Sequence, residues 1–244
     1  MKIDKKEMQQ LAAVQLPRMD LYAGIHKALR ALMADTLLAL GRMDTSDELE
    51  TAQTTQRVVE LLDFCRLHLG HENEFVHPAI EARAPGASEA VAHEHADHAA
   101  HIDALGLAVA HLRGLPAGQR ETAALDLYRS LALFIADNFQ HMYVEETAHN
   151  AVLWARYSDA ELAEIHGALV ASIAPEEMMF TFRWMIPFMT PAERTAVLAD
   201  MRANAPAPAF QAALHTVRPH LTDGEWSKLA RSLDLPPASA PVGA

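Results

Sequence analysis

The chain has 244 residues, half of them apolar, enough for one sizeable core with a smaller appendage and too few for several large domains. A formal net charge of −12 with a pI near 5.5 argues against phosphate backbones and anionic lipid surfaces as partners, because both select clustered Lys and Arg. The start MKIDKKEMQQ carries no apolar leader, no stretch approaches the length of a membrane span, and the single cysteine, Cys65, fits a reducing compartment, so a soluble cytoplasmic protein is expected.

Ala, Leu, Glu, Arg and Met are plentiful, and no segment alternates apolar and polar residues for long, so the fold class reads all-α. The spacing of Tyr22, His26, Leu29, Met33 and Leu37 predicts a first helix over 19–40, ended by Gly41. A second is predicted over 47–77, with Val58, Leu61, Cys65, His68, Glu72 and Phe75 on one stripe and Pro78 stopping or kinking it. After the loop APGAS, a third helix runs from about Ser88 to Gly114 with His95, His98, Ile102, Leu105, Val109 and Leu112 inward. The fourth covers 119–156, its stripe being Leu127, Leu131, Phe134, Asn138, His141, Glu145 and Ala148. The expected organisation is an N-terminal segment over 1–18, an antiparallel up-down-up-down four-helix bundle over 19–156, a C-terminal helical extension over 157–235 and a loose tail over 236–244.

Fourteen histidines are the unusual count, and two of them form a repeated pattern. His68 and Glu72 are four apart, as are His141 and Glu145, and a helix carries residues at that spacing on one face. An isolated pair of this kind is ordinarily a solvated surface pair. Here both fall on apolar stripes, and burying a carboxylate without a partner is costly, so a buried Glu in each of two helices asks for a cation between them. Imidazole nitrogen with carboxylate oxygen suits iron, manganese or zinc.

In such a bundle the starts of helices one and three share an end with the finishes of helices two and four. His26 and His98 lie near those starts, and His68/Glu72 and His141/Glu145 near those finishes. His26 and His68 are 42 positions apart and His98 and His141 43, which suggests two similar hairpins about a pseudo-twofold axis, each giving two His and one Glu.

HLGHENEFVHP and HMYVEETAHN, preceded by His26 and by the run HEHADHAAH, resemble the hemerythrin-like HHE cation-binding domains, over roughly residues 20 to 156. The resemblance implies two metal ions, usually iron, bridged by carboxylates and an oxo or hydroxo group, with His from all four helices. Carried onto this chain, the metal ligands are His26, His68, Glu72, His141 and Glu145, together with His98 or His95. Pseudo-symmetry with His26 favours His98, and His95, on an adjoining part of the face, is the candidate fifth imidazole; Glu94 lies one turn before His98. His93 and His101 read as peripheral. Oxygen-carrying hemerythrins have two His four apart in the third helix and a His then an Asp in the last, whereas this chain ends on His141 and Glu145. That shifts weight from oxygen storage to the wider family, whose members sense oxygen, iron or nitric oxide, or meet peroxide. A sensing or binding protein is preferred, with a peroxide-reducing or oxygen-activating enzyme, or an iron or zinc storage or structural site, as alternatives.

Cys65 reads as a small core residue, and Tyr22 and Asn138 as packing residues or as groups orienting a ligand. His71, His77 and His149 fall off the stripes and are expected at the surface, as are Glu74 and Glu146, the latter with the alternative of swinging toward the metal. Beyond Arg156 the capping patterns SDAE, TPAE and TDGE imply helices over 159–173, 176–188, 191–204 and 210–233, the last broken by Pro219. The apolar FTFRWMIPFM reads as a helix packed on the bundle, with a homodimer or protein-partner surface as the alternative.

Overall fold

The computed structural model describes residues 18–235; the expected N-terminal segment before Arg18 and the tail over 236–244 lie outside the described residues. Every regular element among them is helical. Two compact units are formed, dividing between Ser172 and Ile173.

Four long helices build the first unit: α1 (Ala23–Gly41), α2 (Glu48–His71), α4 (Glu89–Gly114) and α5 (Arg120–Val144). α1 packs on α2, α2 on α4, α4 on α5 and α5 back on α1, so the four close into a ring around one core. Leu29, Leu32, Met33, Val58, Leu61, Ile102, Leu105, Leu112, Leu127 and Leu131 fill it, each at most 4 % exposed. At Gly41 the backbone runs so close to α5 that an added Cβ would lie 2.9 Å from the Tyr128 ring. α1 starts later than its periodicity suggests, because the Asp20 carboxylate accepts from the Tyr22 and Ala23 amides and holds the preceding turn. Asp47 caps α2 in the ordinary way.

The second and fourth predicted helices are each interrupted. α2 passes at Glu72–Val76 into a π turn and resumes as α3 (His77–Arg83), with Pro78 in its first turn, where no N–H is needed. α5 passes at Glu145–His149 into a second π turn and resumes as α6 (Asn150–Arg156). Each π turn inserts a residue and advances the buried stripe by one position. Phe75, expected inside, is half-buried, while Val76 and His77 are buried; Ala148, expected inside, is exposed, while His149 and Asn150 are buried.

α7 (Asp159–Ser172), capped by Ser158 with Glu161, also belongs to this unit. Its Leu162 is buried with Tyr22, Val76, Ile80 and Leu153 beside the π turns.

Residues 173–235 contain α8 (Pro175–Met185) with a 3₁₀ turn at Ile186–Phe188, α9 (Pro191–Asn204), α10 (Ala207–Val217) with a 3₁₀ turn at Arg218–His220, and α11 (Asp223–Ser232). The break at Pro219 and the capping boxes at Thr190/Glu193 and Thr222/Glu225 follow the sequence patterns. From FTFRWMIPFM, Phe182, Ile186 and Met189 enter this unit's own core with Leu198, Phe210, Val217 and Leu229, which accounts for the segment's apolar character. No helix among the described residues is long and apolar enough to cross a membrane.

Candidate metal centre

Near the π turns the apolar core gives way to ionisable groups. His26 of α1, His68 of α2, His95 of α4, His141 of α5 and the two carboxylates at the starts of the π turns, Glu72 and Glu145, are all at most 8 % exposed. The i, i+4 rule holds for both HxxxE pairs because each Glu is reached before its turn widens. His68 Nε2 lies 3.3 Å from Glu72 Oε1, and His141 Nε2 lies 3.3 Å from Glu145 Oε1.

These six side chains converge in two overlapping groups. One holds His26, His68, Glu72 and Glu145, the other Glu72, His95, His141 and Glu145, and within each the ligand atoms lie within 4.8 Å of one another. The carboxylates face both ways. Glu72 turns Oε1 toward His26 and His68 and Oε2 toward His95, at 3.5 Å; Glu145 turns Oε2 toward His26, at 3.4 Å, and Oε1 toward His95 and His141. Donor atoms about 3.0 to 3.4 Å apart are what a cation with bonds of about 2.1 Å gathers around itself.

Hydrogen bonding supports the same reading. All four oxygens of Glu72 and Glu145, and the Nε2 atoms of His26 and His68, are buried without a hydrogen-bond partner. Buried carboxylates left so are strongly disfavoured, and a cation between them satisfies every one. The outer ring nitrogens, by contrast, are tied down. His26 Nδ1 donates to Glu146 at 3.0 Å, a carboxylate also held by Arg30, and His141 Nδ1 donates to Glu94 at 2.9 Å. His95 Nδ1 pairs with Asn73 Oδ1 at 2.8 Å. With the proton on Nδ1, the Nε2 lone pair of each ring points inward, and His95 and His141 bring theirs to 3.1 Å from each other. Glu146 was expected at the surface; it is half-buried because it anchors His26.

Without metal, protons occupy this space. Burial and the neighbouring Glu145 charge push the Glu72 carboxyl up. Burial acts the same way on Glu145, but the His141 and His95 imidazoles close against it outweigh burial and hold that carboxyl down. Burial works against charge on His26 too, yet contact with Glu146 and Glu72 raises it to about 9, whereas His68, buried and beside His26, is held well below the usual imidazole range.

His98 is placed differently from the expectation based on equal intervals. It is 5 % exposed and lies against His141, ring centroids 4.7 Å apart, yet belongs to neither group, and its Nδ1 has no partner. His95, one turn earlier, takes the inward place because Asn73 reaches across to fix its ring. His98 instead lines a cavity of about 520 Å³ between α4 and α5, with Glu94, Asp97, His101, Asp137 and His141 among its walls. His93 and His101 are exposed.

His77 and His149 correct the sequence reading outright. Both were placed at the surface and both are buried, at 6 % and 1 % exposure, forming a third group with Glu145. For His77, five residues after Glu72, the reason is the π turn, which brings it round to the inner face with no sign in a uniform 3.6-residue period. His149 is four residues after Glu145 and takes the inner place that Ala148 was given. Tyr22, 1 % exposed, shares a hydrogen bond of 3.1 Å with His149 Nδ1. Asn138 donates to the Phe134 carbonyl and turns away from the centre. Cys65 is a core residue whose thiol burial pushes up to about 12, so it stays protonated near neutrality.

A family model described as the hemerythrin HHE cation-binding domain matches residues 19–150, more than half of the chain and the whole of this cluster. Comparison with curated proteins and with solved structures gives no significant match. Such domains bind metal, typically iron, and His/Glu groups able to hold a metal ion lie inside the matched span. The chain therefore belongs to the hemerythrin HHE cation-binding family.

Proposed function

We propose that residues 19–156 form an antiparallel up-down-up-down bundle holding two iron ions, bridged by Glu72 and Glu145, and that the pair binds a small ligand such as oxygen, nitric oxide or peroxide in a sensing or binding role. One observation carries this reading: Glu72 presents one oxygen to His26 and His68 and the other to His95, Glu145 presents one to His26 and the other to His95 and His141, and none of the four oxygens has a hydrogen bond. A single cation would leave half of that donor set unused. His26 and His68 hold one iron and His95 and His141 the other, while Glu146, Asn73 and Glu94 fix the ring orientations. When bound, the iron pair supplies reversible ligand and electron exchange that His and Glu side chains lack.

The cavity beside His98 and His141 favours a small ligand. Its walls are mostly carboxylates, imidazoles and an amide, Gln140, a lining that suits an ion or a diatomic molecule better than an apolar organic substrate. Residues 173–235 would report the state of the pair to a protein partner or a second copy of the chain, in the cytoplasm.

The test is elemental analysis with an absorption spectrum of the purified protein beside the variant Glu72→Ala/Glu145→Ala, followed by anaerobic titration with oxygen and nitric oxide. About two irons per chain, a near-ultraviolet charge-transfer band and loss of both in the variant are expected. A protein carrying no more metal than the variant defeats the dinuclear reading. A protein with two irons that turns over peroxide catalytically moves it to the enzymes.

A further inference from the structure

His77 and His149 are absent from the ligand pattern of the two HxxxE motifs, yet both lie beside it in space. Both are buried, both Nε2 atoms lack a hydrogen-bond partner, and each residue offers a ring nitrogen to one group with a Glu145 oxygen that spans no more than 4.8 Å. A buried imidazole that serves packing alone finds an acceptor or a donor for each nitrogen; two side by side that do not, both beside the same carboxylate, are placed for a cation.

The two rings meet edge to face, centroids 5.5 Å apart, but each has a different further neighbour. The His77 ring stacks on His95, centroids 4.7 Å apart and planes 24° apart. His149 is tied through Tyr22, whose own ring lies 5.3 Å from His26. His77 comes directly after the π turn that begins at Glu72, and His149 closes the one that begins at Glu145. Through its stacking on His95, His77 is assigned with His95 and His141, and through Tyr22, His149 is assigned with His26 and His68. Counting donors points the same way. Two imidazoles and two carboxylate oxygens give each position four donors, which satisfies zinc, whereas iron and manganese take more.

Building on the dinuclear reading, we propose that His77 and His149 are metal ligands, one to each ion, so that six imidazoles and two carboxylates surround the pair and one position at each ion is left for an exogenous ligand. The π turn after Glu72 is then the device that delivers His77, five residues on, which a regular helix would direct elsewhere, whereas His149 keeps the spacing of four from Glu145.

The test uses the full-length protein loaded anaerobically with ferrous iron. X-ray absorption should count about three imidazoles per iron in the native protein and about two in His77→Gln/His149→Gln, with two irons retained and affinity lowered at least tenfold. The native count stands even if the double variant fails to fold, and a count of about two there overturns the proposal. So does a double variant with unchanged affinity and imidazole count, which would make both residues structural. Three irons in the native protein and two in the double variant also overturn it, by assigning His77, His149 and Glu145 a separate ion. If the native protein takes up no metal, the dinuclear reading itself has failed, which is distinct from each of these results.

Discussion

Arg194 in residues 173–235 and Glu145 in the bundle are both withdrawn from solvent, at 3 % and 0 % exposure, and the protein treats the two charges in opposite ways. The Arg194 guanidinium donates to the carbonyls of Ile186, Pro187 and Met189 at 2.8 to 3.1 Å and meets Glu225 at 3.3 Å, so it closes the turn after α8. Glu145, with Glu72 opposite, has no hydrogen bond to either oxygen. One buried charge is satisfied by the chain and serves the fold; the other is left for something the chain does not contain. The contrast separates structural from functional burial more sharply than burial itself does.

The largest effect that can break this comparison is metal removal. A cation present at about a thousand times its dissociation constant adds about 4 kcal/mol to the state that binds it. For a chain of this size, that amounts to roughly 10 °C in Tm. Iron should therefore raise the bundle transition by about that amount, reversed by chelator, and should leave Glu72→Gln/Glu145→Gln unmoved. Without metal the ordering inverts: the Gln variant, free of two crowded carboxylates, should melt no lower than the parent. A metal-free parent that is clearly the more stable would mean that these carboxylates serve the fold after all.

Arg194→Met should do the reverse, at about 3 kcal/mol, because three carbonyls lose their donor inside a small core. Hydrogen exchange should show faster opening within residues 173–235 while the iron content stays unchanged. Loss of iron in this variant would contradict the division of roles.

How far the sequence foretells this contrast depends on the period of the helix. His68 and His141 precede the π turns, Glu72 and Glu145 open them, and His26 is on an uninterrupted helix, so a spacing of four with an apolar stripe brings them together on paper as in three dimensions. Past Glu72 and Glu145 the phase slips by one, which is why Phe75 and Ala148 are misplaced and His77 missed, whereas His149 keeps the spacing of four from Glu145 and was legible. Nothing in ENEFV or EETAH marks a π turn; it forms where packing and the buried donor set favour it over the local α-helical bond. The choice between His95 and His98 has a similar cause, since it depends on Asn73, which is on another helix and exposed. In residues 173–235 the signals are local, namely Thr–Pro, Thr–Asp–Gly and Pro219, and the helices follow them closely.

Next in size come the outer hydrogen bonds. Asn73→Ala frees His95 Nδ1, and Glu94→Gln weakens the acceptor of His141, without touching a nitrogen that faces the centre. Each should cost about tenfold in iron affinity, measured by competition with a calibrated chelator, with unaltered stoichiometry and little change in the metal-free melt. An effect on the metal-free melt larger than that on affinity would place these residues with Arg194.

The smallest expected effect concerns exposed carboxylates, where the two units should behave alike. Arg83 beside Glu161, together with the Ser158 amide and hydroxyl, pulls the Glu161 carboxyl down to about 2 from an ordinary value near 4.5. In α11, the Thr222 hydroxyl and amide hold Glu225 low in the same manner. A carboxyl lowered on folding stabilises the folded state in full above its ordinary value, and that contribution disappears as pH falls toward the folded value. Metal-free protein should therefore lose stability as pH drops from about 4.5 toward 2, and Glu161→Gln should flatten that limb for the bundle and Glu225→Gln for residues 173–235. Both carboxylates sit in solvent, so the change in slope should be slight and should shrink further in high salt. A steep, salt-resistant loss at Glu161 would instead mean that the capping box of α7, through Arg83 and its stacking on Tyr157, secures the segment behind the second π turn.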